Sequence, residues 1–220
     1  MVTPEPERRF WLLLVALAVL LLGYPYFGDS RAGVFAGGVA SLAVLTTGVY
    51  AHRANRGVCL TALVLAIVSA ATSIRAFVAD VSGDPLVEAS FTAFYAFMTV
   101  SVFWEFIQTR HVTRDTMYGA VCVYLLIGLS FANLYDLIET LQPESFQINV
   151  EIDAPEEKIH WRTLLFFSFM TLTTVGLGDV TPVTVHAQSL VSIQGVIGVL
   201  YVAVLVARIV GLYVRRQGPA

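Results

Sequence analysis

Six long apolar runs dominate the sequence, at residues 10–26, 32–50, 58–77, 86–107, 116–138 and 185–214, separated mostly by short turn-rich or charged breaks. A crossing helix needs about 20 apolar residues to bridge a hydrocarbon core of about 30 Å, so runs of this length read as membrane spans. Composition agrees, because 57% of the 220 residues are hydrophobic, 13% are charged and the mean hydropathy is +0.75. Soluble domains carry about 25% charge. Six spans with their connectors leave little room for a soluble catalytic domain. The first run also fits the apolar core of a signal peptide. It is long for one, and its Gly-Tyr-Pro-Tyr exit lacks a small-residue cleavage site, so a retained helix is expected.

Charge placement sets an expected orientation. Arg8, Arg9, Arg53, Arg56, Arg110, Arg114, Arg215 and Arg216 fall on one side of a six-span arrangement, and basic flanks stay cytoplasmic. The opposite loops hold Asp29, Asp80, Asp84, Glu144, Glu151, Asp153, Glu156 and Glu157, with Arg31, Lys158 and Arg162 as their basic members. The expectation is a multi-pass protein of the plasma membrane with both termini cytosolic and an acidic extracellular segment at 139–161. Cys59 and Cys122 lie in apolar runs and read as core residues, not as a disulfide or metal site. A net charge of −3 with scattered basic residues argues against nucleic acid as a partner. No zinc-ligand spacing, nucleophile elbow or phosphate loop occurs, so neither an enzyme nor a cofactor is expected.

The segment that stands apart is 161–173, which is apolar but only thirteen residues long and is followed at once by Thr174-Val175-Gly176-Leu177-Gly178-Asp179. Thirteen helical residues rise about 20 Å, too little to cross, so this piece is expected to enter the membrane and turn back. Non-helical backbone at membrane depth is tolerated only where protein buries it or where it lines a watery path. The Gly-Leu-Gly stretch therefore asks for a pore.

The string Thr171-Leu172-Thr173-Thr174-Val175-Gly176-Leu177-Gly178-Asp179, with Pro182-Val183-Thr184 and a glycine-bearing last helix after it, resembles the tetrameric potassium channel family. The resemblance is strong over 164–213. It implies an all-α membrane protein of six transmembrane helices plus a re-entrant pore helix and filter loop, assembled as a homotetramer in the bilayer. K+ is then the permeant ion, with a weakly selective cation channel, or a membrane scaffold or receptor with a vestigial pore, as the alternatives. Residues 1–112 would form a four-helix domain and 113–220 the pore domain. Thr174, Val175, Gly176, Leu177 and Gly178 would form the filter, the first four supplying backbone carbonyls and the Thr174 hydroxyl closing the inner end. Glycines at 176 and 178 allow positive φ, which lets successive carbonyls face one axis.

Two departures from the family pattern bear on the filter. Leu177 stands where an aromatic residue is usual, and Phe166 and Phe167 stand where tryptophans are common. An apolar packing of Leu177 against these rings would replace a hydrogen-bonded brace, so a softer filter is expected. Met170 occupies a position where some relatives carry a glutamate, which deprives Asp179 of that partner.

In the last run, Gly198 falls at the family's hinge spacing and Gly195 suits packing. Val199, Val202 and Val206 recur at helical spacing and, by the resemblance, would face the cavity as an apolar gate; a stripe facing the outer helix is the alternative. Arg208 is expected to snorkel to lipid headgroups. The fourth run has no arginine repeat, so no voltage sensor is expected. Arg75, Glu88 and Asp136 sit toward the outer ends of their runs, and Arg75 is expected to pair with Asp136 or Glu88. Gly33 and Gly37, and the small-residue cluster Ser69-Ala70-Ala71-Thr72-Ser73, suit close helix packing. Membrane tension, lipid, pH acting through His111 or His186, and a separate regulatory subunit remain open as stimuli.

Overall fold

The computed structural model describes residues 9–26, 31–53, 55–79, 84–108, 114–149 and 161–216, with side chains throughout except at 31–36, 209 and 212–216. Arg8, Asp29, Asp80, Arg110, His111, Glu151, Asp153, Glu156, Glu157 and Lys158 lie outside the described residues, as do the side chains of Arg31, Arg215 and Arg216 and the surroundings of Gly33. In chain order come α1 (Arg9–Gly23) with a single 3-10 turn (Tyr24–Tyr26), α2 (Arg31–Ala51), α3 (Arg56–Ala79), α4 (Pro85–Gln108) and α5 (Arg114–Leu141). Strand β1 (Phe146–Ile148), α6 (Trp161–Leu172), β2 (Val180–Pro182) and α7 (Val185–Arg216) complete it. Among the described residues, α1 with its 3-10 turn, α3, α4, α5 and α7 are long and apolar enough to cross a membrane, while α2 offers a shorter apolar stretch at Gly37–Ala51.

One apolar core joins the first helices to the rest. Leu13, Leu17, Val44, Phe94, Met98 and Leu126 are buried together, and the core reaches Leu165 and Leu172 of α6 and Tyr201 of α7. Small residues let the helices close up: a Cβ on Gly48 of α2 would come 3.1 Å from the Met98 side chain, and one on Gly119 of α5 would come 3.2 Å from Phe10. Hydroxyl pairs cross the apolar contacts, Thr72 with Ser90 at 3.0 Å between α3 and α4 and Thr99 with Ser130 at 3.1 Å between α4 and α5. Each gives the hydroxyls a partner within a largely apolar contact.

Several charged side chains at the helix ends have partners. Arg75 bonds to Asp84 rather than to Glu88 or Asp136 as the sequence suggests. Asp84 precedes α4, and its Oδ1 accepts the Leu86 N–H at 3.0 Å, so the cap fixes the carboxylate beside Arg75. Glu88 and Asp136 hydrogen-bond to one another. At the other end, Arg9 donates to Glu105 at 3.1 Å and to the Ala51 carbonyl at 3.4 Å, and Asp115 Oδ1 accepts the Phe10 N–H at 3.2 Å. The Arg208 guanidinium lies over the Phe106 ring of α4, 5.4 Å from its centroid.

Candidate functional site

Helix α6 spans twelve residues, about 18 Å of rise, and stands between the two long helices α5 and α7. Leu164, Leu165, Phe167, Ser168 and Leu172 form its buried face. A polar network fixes that face. Tyr135 of α5 donates to Gln194 Oε1 of α7 at 2.6 Å, Gln194 Nε2 donates to Ser168 Oγ at 2.7 Å and to the Ser168 carbonyl at 3.1 Å, and Ser168 Oγ donates to the Gly128 carbonyl at 2.7 Å. Every member has a partner, the condition under which a buried network rigidifies a core. Two glycines admit close approach: a Cβ on Gly128 would come 2.5 Å from Phe169, and one on Gly198 would come 2.3 Å from the Leu172 carbonyl oxygen. Gly198 thus seats α7 on the C-terminal turn of α6, and α7 continues through it as unbroken helix.

The turn after α6 explains the start of the next segment. Thr174 adopts φ 59°, its N–H reaches the Thr171 carbonyl at 3.0 Å, and the Val175 N–H reaches the Met170 carbonyl at 2.9 Å. This is a Schellman cap, with Thr174 in the left-handed position that glycine normally takes. A threonine there costs roughly 1–2 kcal/mol, so the contacts around it must hold it. The Gly176 N–H also reaches the Met170 carbonyl, at 3.3 Å. Met170 therefore contributes its backbone oxygen to the segment's inner end.

Positive φ recurs at every second residue: Thr174 at 59°, Gly176 at 58° and Gly178 at 80°. In an ordinary strand successive carbonyls point to opposite sides, and alternation of left- and right-handed residues cancels that reversal. Among the described residues no donor of the protomer reaches the carbonyls of Thr174, Val175, Gly176 or Leu177. Val175 is 55% and Leu177 63% exposed within one protomer.

The outer end is tied down. Strands β1 and β2 pair antiparallel, Phe146 opposite Pro182 and Ile148 opposite Val180. Beyond β1, the Asn149 N–H donates to the Asp179 carbonyl at 2.7 Å, while Asn149 Nδ2 donates to the Gly178 carbonyl at 3.0 Å and to Thr181 Oγ1 at 3.1 Å. Phe167 turns away from the segment to meet Tyr135 at 5.6 Å and Phe146 at 5.7 Å between ring centroids. The expected packing of Phe167 on Leu177 is thus not made within a protomer, because Phe167 shares the buried face of α6 with Leu164 and Ser168. Phe166 and Met170 are half-buried, as is Asp179.

On α7, Gln194, Gly198 and Tyr201 are buried, with Leu205 packed against the core. Val199, Val202 and Val206 are 56%, 46% and 55% exposed, on the side turned away from α5 and α6. A stripe packed on the protomer's own outer helix does not occur. A Cβ on Gly195 would meet nothing within 4 Å.

Sequence reasoning missed Asn149, Ser168, Tyr135 and Gln194. Gln194 carried a signal, a carboxamide midway along an apolar run; Asn149, in a loop without periodicity, carried none.

Residues 119–215, from α5 to the end of α7, match the family model Ion_trans_2, described as ion channel. The chain is also similar to the potassium channel protein kcv of Paramecium bursaria Chlorella virus 1, 29% identical over 77 residues, which cover 35% of this chain and 81% of the relative. No solved structure matches it. Together with the apolar helices, these matches support a membrane ion channel that transports potassium.

Proposed function

We propose that four copies of this chain form a potassium-selective channel conducting K+ passively across the plasma membrane. The observation that carries this reading is the alternation of positive φ at Thr174, Gly176 and Gly178 beside four carbonyls with no donor of their own. Carbonyls aligned in this way replace an ion's hydration shell when four chains surround one axis. Helix α6 ends immediately before them and directs the partial negative charge of its C-terminus toward the inner end of the column. In this reading α6 is re-entrant, α2 is the sixth span, both termini are cytosolic, and Val199, Val202 and Val206 narrow the inner pathway. The exposed apolar side of α7 supports their facing an axis, since it has no cover within the protomer.

The test is rubidium uptake into proteoliposomes under a potassium gradient, repeated under a sodium gradient. Uptake is expected under potassium and is expected to vanish in Gly176→Ala, whose φ of 58° a side chain resists. No uptake by the wild-type protein, or a monomeric or dimeric purified assembly, would overturn the reading.

A further inference from the structure

The filter's outer end raises a question that its inner end does not. At the inner end a helix cap holds the chain, whereas at the outer end the side chain of Leu177 has no polar atom and is 63% exposed within the protomer. Something else must fix where the column of carbonyls stops. Resting on the channel reading above, we infer that Asn149 is the positioning residue that ends it: its carboxamide claims the Gly178 carbonyl and turns it out of the ion path, leaving Leu177 as the last coordinating residue.

Three observations carry this. The carbonyls of residues 174–177 have no donor among the described residues, and the next one, on Gly178, accepts Asn149 Nδ2 at 3.0 Å. A carbonyl committed to a donor beside the β1–β2 pair cannot also point along the path its four predecessors share. Asn149 is itself held on both sides, since its N–H donates to the Asp179 carbonyl at 2.7 Å and its Nδ2 is shared with Thr181 Oγ1 at 3.1 Å. The strand that leads to Asn149 is anchored in turn. Phe146 is 3% exposed, with ring centroids 5.2 Å from Tyr135 and 5.7 Å from Phe167, so the strap is bolted to α5 and α6. Below it, Glu139 accepts the backbone N–H groups of Glu144 at 3.0 Å and Phe146 at 3.1 Å, closing the turn that starts the strap. A segment that reads as an acidic loop thus delivers one carboxamide to one filter carbonyl.

Asn149→Asp is the sharpest variant. It is nearly isosteric, but it replaces the Nδ2 donor with an acceptor and sets a carboxylate against the Gly178 carbonyl. The wild type, Asn149→Asp, Asn149→Ala and Asn149→Gln would be reconstituted at equal tetramer content, and the ratio of rubidium uptake to sodium uptake measured for each. Loss of a single positioning hydrogen bond is expected to lower that ratio about five- to tenfold in Asn149→Asp and Asn149→Ala. Asn149→Gln keeps the donor and is expected to recover most of it. Thr181→Val removes the other Nδ2 acceptor while sparing the Gly178 bond, and is expected to leave the ratio unchanged. A merely structural role for Asn149 would lower assembly or total uptake without moving the ratio. Wild-type ratios in both Asn149→Asp and Asn149→Ala would overturn the inference and leave the channel reading intact, whereas no wild-type uptake would overturn both. Should Asn149→Asp fail to assemble, the contrast between Asn149→Ala and Asn149→Gln decides, and equal ratios in those two sink the inference.

Discussion

At the scale of single residues, Gly195 and Gly198 of α7 separate sharply. A methyl group on Gly198 would collide with the Leu172 carbonyl at 2.3 Å, whereas one on Gly195 would enter open space. Backbone gives way less readily than a flexible side chain, so Gly198→Ala is expected to push α7 off the C-terminal turn of α6 at a cost of about 1–3 kcal/mol. Gly195→Ala is expected to leave the protomer's stability unchanged or slightly raised. Thermal unfolding of the two purified variants would show this, and equal melting temperatures would refute the close-approach role of Gly198. A hinge role alone would change gating and leave the melting temperature where it was. Gln194 yields a second test. Gln194→Leu strands the Tyr135 hydroxyl and removes the donor to Ser168, so a loss of about 1–3 kcal/mol is expected. The double variant Gln194→Leu, Tyr135→Phe should recover part of that loss, because no hydroxyl is then left without its acceptor.

At the scale of elements, α4 limits what the first four helices can do. It has glutamates at 88 and 105 and neither lysine nor arginine between Pro85 and Gln108. Since moving one charge through 100 mV yields about 2.3 kcal/mol, a helix without cations cannot drive steep opening, and a shallow conductance–voltage relation is expected. A steep relation abolished by changes in α4 would contradict this. The elements themselves were largely readable, because long apolar runs flanked by charges allow few alternatives: five of the six runs lie within one α-helix, and the first passes from α1 into its 3-10 turn. The shortness of α6 and the freedom of Gly176 and Gly178 were readable too. Thr174 was not: a β-branched residue gives no local hint of a left-handed conformation, which here follows from the cap on α6. The orientation of Phe167 depended on which face of α6 meets α5, and three residues of β1 become a strand only because β2 lies beside them. Pairings of that kind are set by tertiary contact and leave no period in the sequence.

At the scale of the whole molecule, the ends of four helices meet where Arg9, Glu105, Asp115 and His52 gather. Arg9 ties α1 to α4 and to the last carbonyl of α2, and Asp115 ties α5 to the start of α1. His52, just past α2, is 4% exposed, and its Nδ1–H faces the Gly48 carbonyl at 3.2 Å, while Nε2 has no partner among the described residues. Burial pushes this imidazole below its ordinary value. The Gly48 carbonyl and the Glu105 carboxylate oppose that shift, and Arg9 adds to it. Because the group titrates lower when folded than when unfolded, the unfolded chain takes up the proton first as pH falls. Stability from this site is therefore complete above about pH 6.5, declines as pH drops toward the folded value, and levels off below it. Protonation would place a second cation beside Arg9 in a buried setting, loosening a junction on which α1, α2, α4 and α5 all depend. The melting temperature of the purified assembly is accordingly expected to fall between pH 7.5 and 5.5, and to fall less in His52→Gln, which keeps a neutral donor for Gly48 but does not titrate. Parallel pH profiles for the two proteins would remove His52 as the source and return the question to the histidines outside this junction.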